Sequence, residues 1–194
     1  SPLSASFSGT IGAGIPEKRG SIEITKGLTR GGVLLAAHTR NTGDWDSAVD
    51  EVFNSGYRDH GFLARFEHEA GPGTFSAGWQ SDFGRDIERP RNNSRTVRFL
   101  YPYEDSHRFT VGYEALNLGG FQRMVFTGFA GAFEQRTDQD RFATATTGRT
   151  IERADLAAKD FHVRGSGERL FGKARLEVGV DLNGRFGLNA VDEV

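Results

Sequence analysis

The sequence predicts an all-β fold, an antiparallel up-and-down meander of about nine strands. Apolar and polar residues alternate with period two in most segments, which places the two kinds of side chain on opposite faces of a strand. In residues 175–187, for example, Leu176, Val178, Val180 and Leu182 alternate with polar residues and glycine. Glycine-rich connectors separate the alternating segments, and no segment has a convincing helical period.

The alternation can be followed in chain order from the first segment, where Leu3, Ala5 and Phe7 alternate with serines, to the segment just described. Residues 149–160 come nearest to a helical pattern, so a short helix in a loop is an alternative for them. The predicted strands are residues 3–11, 20–28, 32–40, 61–69, 74–83, 108–116, 124–136, 161–171 and 175–187.

The connectors fall into two classes that alternate from the second strand onward, and only the first, at GIPEKRG, departs from this order. In a meander, such alternation gathers the long loops at one end, which is typical of an outer-membrane barrel. The tight connectors are residues 29–32, 71–73, 119–120 and 171–173, and the long polar ones are about 45–58, 86–106 and 138–159.

Composition excludes several classes of protein. The 194 residues carry a formal net charge of −2, which argues against general binding of nucleic acid. The chain has no cysteine, so it forms neither a disulfide framework nor a thiolate zinc site. It also has no apolar run of about 18 residues, so no transmembrane helix is expected. A mean hydropathy of −0.49 does not argue against a transmembrane barrel, because alternation averages its hydropathy away.

Three architectures are compatible with two unlike faces. A soluble β-sandwich or small barrel would turn the apolar face inward, and a β-solenoid would need a fixed repeat that the sequence lacks. The third architecture is a transmembrane barrel with its apolar face toward lipid. It is favoured by strands of up to about 13 residues and by apolar faces of aromatic residues mixed with Ala and Gly. The predicted lipid-facing residues include Phe62, Phe66, Trp79, Phe129, Phe133, Leu176 and Val178.

Strand number adds a further expectation. Bacterial barrels have an even number of strands, and an open sheet would leave unpaired edges in lipid. The first residues lack the pattern of a signal peptide. We therefore expect the chain to be a fragment of a large transmembrane β-barrel.

The chain resembles the barrel of TonB-dependent outer-membrane receptors, in particular the first strands after the plug. The resemblance is carried by residues 20–45, 53–80, 88–94 with 101–114, and 175–188. It implies that residues 1–194 form a partial barrel domain, without the plug or the remaining strands, in the outer membrane of a Gram-negative bacterium. It also implies active import of a bulky, scarce nutrient, most commonly a ferric siderophore, with haem or cobalamin next. No catalytic residue and no cofactor are implied.

The same resemblance implies a set of partners. These are outer-membrane lipid and lipopolysaccharide, the protein's own plug, the TonB complex acting through that plug, and the imported ligand. The alternative function is that of a soluble β-sandwich module that binds carbohydrate or lipid. A barrel enzyme would need a Ser/His pair at the rim, and none can be argued from spacing.

Residues 84–106 are the candidate ligand-binding loop. Arginine pairs with carboxylate or phosphate through two parallel hydrogen bonds, and aromatic rings stack on planar ligands. The alternative is that these arginines pair with nearby carboxylates or contact lipopolysaccharide phosphates. The candidate ligand-binding residues are Arg89, Arg91, Arg95, Arg98, Tyr101 and Tyr103.

Charged residues on the polar faces are predicted to line the lumen, where buried charges must be paired or hydrated. We expect a structural network against the plug and internal water. The predicted lumen-facing residues are Arg65, Glu67, Glu114, Glu134, Arg136, Glu177, Asp181 and Arg185.

No metal site is predicted. The acidic stretches 43–51 and 137–141 offer oxygen ligands but lack a complete calcium-loop motif. The five histidines lack the spacing of metal ligands. His60 and His68, for instance, would lie about 26 Å apart on one strand at 3.3 Å per residue.

Overall fold

The computed structural model describes residues 2–12, 16–47, 50–90 and 96–193, and these residues form strands, turns and irregular connectors. None of the described ranges contains a helix suited to spanning a bilayer. The strands are β1 (Leu3–Ile11), β2 (Glu17–Leu28), β3 (Gly31–Thr42), β4 (Trp45–Asp46), β5 (Glu51–Val52), β6 (Tyr57–Ala70), β7 (Gly73–Arg89), β8 (Val97–Leu118), β9 (Phe121–Arg141), β10 (Thr150–Phe171) and β11 (Ala174–Glu193).

Nine of the strands form one antiparallel sheet in the order β1-β2-β3-β6-β7-β8-β9-β10-β11, while β4 and β5 form a small separate hairpin between β3 and β6. The predicted nine-stranded antiparallel meander is therefore confirmed. The sheet is open, with β1 and β11 at its two edges. Closure into a transmembrane barrel stays a prediction.

The strands are longer than the alternation predicted. β8 and β10 each have 22 residues, so most of the expected long loops 86–106 and 138–159 belong to the sheet. Residues 150–160 lie in β10, which shows that a short helix at 149–160 is wrong. In these segments both faces carry polar side chains, so the sequence no longer alternates between apolar and polar residues. The backbone hydrogen bonds between the strands nevertheless continue.

Short turns gather at one end of the sheet. Gly71, Gly119 and Gly172 each have φ near +61°, a conformation that glycine adopts without steric cost. The described residues of the longer connectors lie at the opposite end; these are 43–47 and 50–56, 90 and 96, and 142–149. The predicted segregation of short and longer connectors is confirmed, although the longer ones are shorter than expected.

Register divides the sheet into two faces, because cross-strand partners in an antiparallel pair point to the same side. We call one side the apolar face, since it carries an uncharged row through Leu35, Ala64, Trp79, Phe109 and Ala130. Trp79 is 47% exposed. Among the described residues only Ala115 and Ala158 are buried hydrophobic residues, so no second layer covers this face.

The opposite side, the polar face, carries mainly charged, hydroxyl and amide side chains but also two phenylalanines. Phe129 is the register partner of Thr110, and Phe133 is the partner of Ser106. The prediction that they share a face with Phe62 and Trp79 is therefore wrong. β9 has apolar residues at both parities around Val125 and Phe126, so its faces could be assigned only through its neighbours.

Candidate functional site on the polar face

Four of the six candidate ligand-binding residues lie in strands rather than in a loop. Arg89 is the last residue of β7, and Arg98, Tyr101 and Tyr103 belong to β8. The expected loop is wrong for these four residues, because β7 and β8 remain paired as far as Arg89 and Phe99. Arg91 and Arg95 lie outside the described residues.

The structure brings these side chains into pairs within the chain. The Arg89 guanidinium lies over the Tyr101 ring at 4.8 Å from its centroid. Arg98 donates to Glu88 through Nε at 2.8 Å and forms an ion pair with the same carboxylate. Arg98 thus already has a carboxylate partner, whereas Arg89 and Tyr101 form a flat cationic and aromatic surface.

Tyr103 belongs to a separate network at the level where the apolar face becomes charged. Its hydroxyl donates to Asp155 Oδ1 at 3.2 Å, and Arg136 binds the same carboxylate through Nε at 2.8 Å and Nη2 at 2.9 Å. These hydrogen bonds, above all those from Arg136, lower the pKa of Asp155. The pKa of Tyr103 is raised, chiefly by desolvation and then by its bond to Asp155.

We expect Asp155 to stay ionised at pH values where an ordinary aspartate becomes protonated. Because its pKa is lower in the folded chain, the stabilisation from this pair is complete above the unfolded-state pKa of about 3.9 and is lost as pH falls through the lower folded-state pKa. Titration of the Asp155 carboxyl carbon by NMR measures this shift. Arg136→Gln should return the pKa to the ordinary range, and an unchanged pKa in that variant would contradict the assignment.

The apolar face has a limited height along the strands. On β11 it runs from Leu176 to Phe186, about 11 residues, which is the length that a transmembrane β-strand needs. On β9 it runs from Met124 to Ala132 and is followed on the same face by Glu134. The apolar side chains therefore form a band next to the short turns, and charged residues follow toward the longer connectors.

Six of the eight predicted lumen-facing residues share the polar face by register. Five have an oppositely charged or histidine partner within 4 Å, and Glu177 lies opposite Glu168. The pairs are Arg65–Glu67 at 3.8 Å, Glu114–Arg123 at 2.7 Å, Asp181–His162 at 2.8 Å and Arg185–Asp160 at 2.7 Å.

Glu134 and Arg136 lie on the other side of the sheet. Glu134 is the register partner of Asp105, which shares the apolar face with Phe83, and Arg136 is the partner of Asp155. The prediction that these two residues share a face with the other six is therefore wrong. The error has the same origin as that for Phe129, because the parity of β9 was assigned the wrong way round.

Sequence reasoning missed a central pocket on the polar face. This pocket of 440 Å³ spans β7 to β11 and has an apolar lining that includes Phe129, Phe133 and Leu156. Its polar lining comes from Gln80, Asp82, Arg108, Asp160 and Arg185. The misplaced parity of β9 hid the pocket, because it moved both phenylalanines to the opposite face.

The fold also brings a serine and a histidine together across β7 and β8. Ser81 Oγ lies 2.8 Å from His107 Nδ1 and accepts a hydrogen bond from Trp79 Nε1 at 2.8 Å. Ser81 is only 1% exposed, so its hydroxyl is enclosed by these two partners. The contact fits a structural hydrogen bond between neighbouring strands better than an accessible nucleophile.

No group of three or more His, Asp or Glu side chains in the described ranges is arranged to hold a metal ion. In the first acidic stretch, Asp44 Oδ1 accepts backbone N–H groups from Ser55 at 2.7 Å and Gly56 at 3.0 Å. In the second, Asp140 binds Arg149 at 2.9 Å. The Asp44 carboxylate therefore links the two ends of the connector between β3 and β6. The Asp140 carboxylate links the end of β9 to the residue before β10.

Comparison of the chain with known protein families finds no matching family model, and no curated protein matches its sequence. The family resemblance therefore stays a prediction.

Proposed function

We propose that the sheet is part of the wall of a large outer-membrane β-barrel, belonging to a TonB-dependent receptor of a Gram-negative bacterium. In this proposal the receptor actively imports a bulky, scarce nutrient, with a ferric siderophore as the first candidate and haem or cobalamin next. The apolar face contacts lipid. The polar face contacts water and the protein's own plug, through which the TonB complex acts.

The observation that carries the proposal is the uncovered apolar band. Val180 is 67% exposed and Trp79 is 47% exposed, which is costly in water for a continuous surface of this size. The band is about 11 residues high on β11, which is about 36 Å along the strand at 3.3 Å per residue. At the usual strand tilt of about 45° this corresponds to the apolar zone of transmembrane barrels, about 25 Å tall. The opposite face carries paired charges, as expected for a hydrated interior.

The ends of the sheet support one orientation within this proposal. Short turns adjoin the band, as they do on the periplasmic side of outer-membrane barrels. β7 to β11 extend well past the band toward the longer connectors, where Arg89 stacks on Tyr101. This end would project outside the cell, where the first contact with lipopolysaccharide and with the nutrient takes place.

The chain lends itself to a direct test, since its sequence contains no cysteine. Single cysteines at Val178, Val180 and Leu182 on the apolar face, and at Glu177 and Asp181 on the polar face, would carry an environment-sensitive fluorophore. The protein would be expressed from its complete reading frame, with any cysteine outside residues 1–194 replaced by serine, and placed in vesicles that contain spin-labelled lipid. We expect lipid quenching at the three apolar positions and little at the two polar ones.

The soluble β-sandwich that binds carbohydrate or lipid is the competing function. It would bury Val178, Val180 and Leu182 in a protein interior, so spin-labelled lipid would quench none of the five positions. That result, or equal quenching on both faces, would overturn the barrel proposal.

A further inference from the structure

The central pocket carries an inference beyond the proposed function, because it depends only on the polar face and not on what covers the apolar face. The pocket volume of 440 Å³ lies in the range of small-molecule sites, about 300–1,000 Å³. The pocket also combines apolar walls with a few charged groups, the usual composition of a ligand site.

A glycine lies at the base of the pocket and leaves space there. Gly131 faces Arg108 on one neighbouring strand and Asp160 on the other. Along β9 it is flanked on the same face by Phe129 and Phe133. Without a side chain at Gly131, a gap remains between the two aromatic rings, and both rings line it.

Two charges at the pocket lack a direct partner of opposite sign among the described residues. The Arg108 guanidinium lies over the Phe129 ring at 4.9 Å from its centroid. It forms no ion pair within 4 Å in the described ranges, and the acidic neighbour with which it interacts electrostatically is Asp160. Asp82 accepts a hydrogen bond from the Gln80 amide at 2.8 Å and has no cationic partner there either. By contrast, Asp160 is already bound by Arg185 at 2.7 and 3.2 Å.

The spacing of these two charges limits the ligand. Asp82 is the register partner of Ser106, so Arg108 is its diagonal neighbour, and such positions lie about 7–8 Å apart. A ligand that pairs with both Arg108 and Asp82 needs an anionic group and a cationic group that are separated by several ångströms. Its apolar body would lie over Phe129, Phe133 and Leu156.

We propose that this pocket binds a short zwitterionic peptide with apolar side chains. The peptide carboxylate pairs with Arg108, its terminal ammonium pairs with Asp82, and its side chains occupy the space above Gly131. The termini of a dipeptide are farther apart than the two charges of a single amino acid, which suits the diagonal arrangement.

The test uses L-phenylalanyl-L-leucine as the probe, with the full-length protein in detergent and calorimetry as the measurement. N-acetylation removes the ammonium group and C-terminal amidation removes the carboxylate. We expect each modified peptide to bind about tenfold more weakly than the free dipeptide, as expected for loss of a charge-assisted hydrogen bond.

Variants assign each charge to its residue. Arg108→Gln should weaken the free dipeptide about tenfold and leave the amidated peptide unaffected, and Asp82→Asn should act in the same way on the ammonium side. Arg65→Gln is the matched control, because Arg65 lies on the same face, pairs with Glu67 and does not line the pocket. It should change nothing.

A variant that fills the pocket separates loss of peptide binding from loss of folding. A Cβ at Gly131 would lie 3.4 Å from the nearest atom, the His107 carbonyl oxygen, so Gly131→Leu should fold and abolish binding. Absence of binding to the unaltered protein would overturn the proposal, and so would equal binding of all three peptides. Binding that survives Gly131→Leu would overturn it as well.

Discussion

Arginine in place of Val180 is expected to destabilise the folded protein in lipid vesicles by about 2–4 kcal/mol, the cost of a charged side chain at the lipid-facing midplane of a barrel. Val180 lies near the middle of the apolar band, is 67% exposed and faces Gly165 on β10. Nothing on the described part of the chain could pair with the new charge at that depth. The measurement is the urea midpoint of the full-length protein folded in vesicles.

Two matched variants show whether lipid is the cause. Asn183→Arg places the same charge on the polar face of β11, where Asn183 faces His162, and should cost little. Ala157→Arg lies on the apolar face but beside Glu134, beyond the band, and should cost at most about 1 kcal/mol. Equal costs at Val180 and Ala157 would contradict a lipid-facing band, because a membrane imposes a dependence on depth.

The limited height of the apolar band explains what could be predicted from sequence. Within the band the side chains of one face are apolar, so period-two alternation is strong in β6, β7 and β11, and the sequence predicts these strands correctly. Beyond the band both faces are polar. There, cross-strand pairs such as Arg136–Asp155 and Gln139–Glu152 link neighbouring strands. The sequences of these strand segments resemble those of loops.

The candidate site was predictable only in part, for a related reason. The paired charges Glu114, Asp181 and Arg185 were assigned to the polar face because their strands alternate cleanly. β9 does not alternate cleanly, since Val125, Phe126 and Phe129 are all apolar. Its faces depend on its register with Tyr113 and Thr110, a long-range property that no local pattern contains.

The register also brings two backbones into close approach at a short turn, next to Gly73. Gly73 begins β7 and pairs with Ala115 on β8. A Cβ at Gly73 would lie 2.2 Å from the Glu114 carbonyl oxygen and 2.9 Å from the Ala115 Cα. Both atoms belong to the backbone of a central strand, so they cannot move aside as a flexible side chain would.

Gly73→Ala is therefore expected to cost about 1–3 kcal/mol, as overpacking does at other closely packed sites. Gly148→Ala is the matched control, because a Cβ at Gly148 meets nothing within 4 Å and its backbone conformation is open to any residue. It should leave stability within about 0.5 kcal/mol. If both variants unfold at the same denaturant concentration, β7 and β8 do not approach as closely at this turn as their register requires, and the pairing of Gly73 with Ala115 would have to shift.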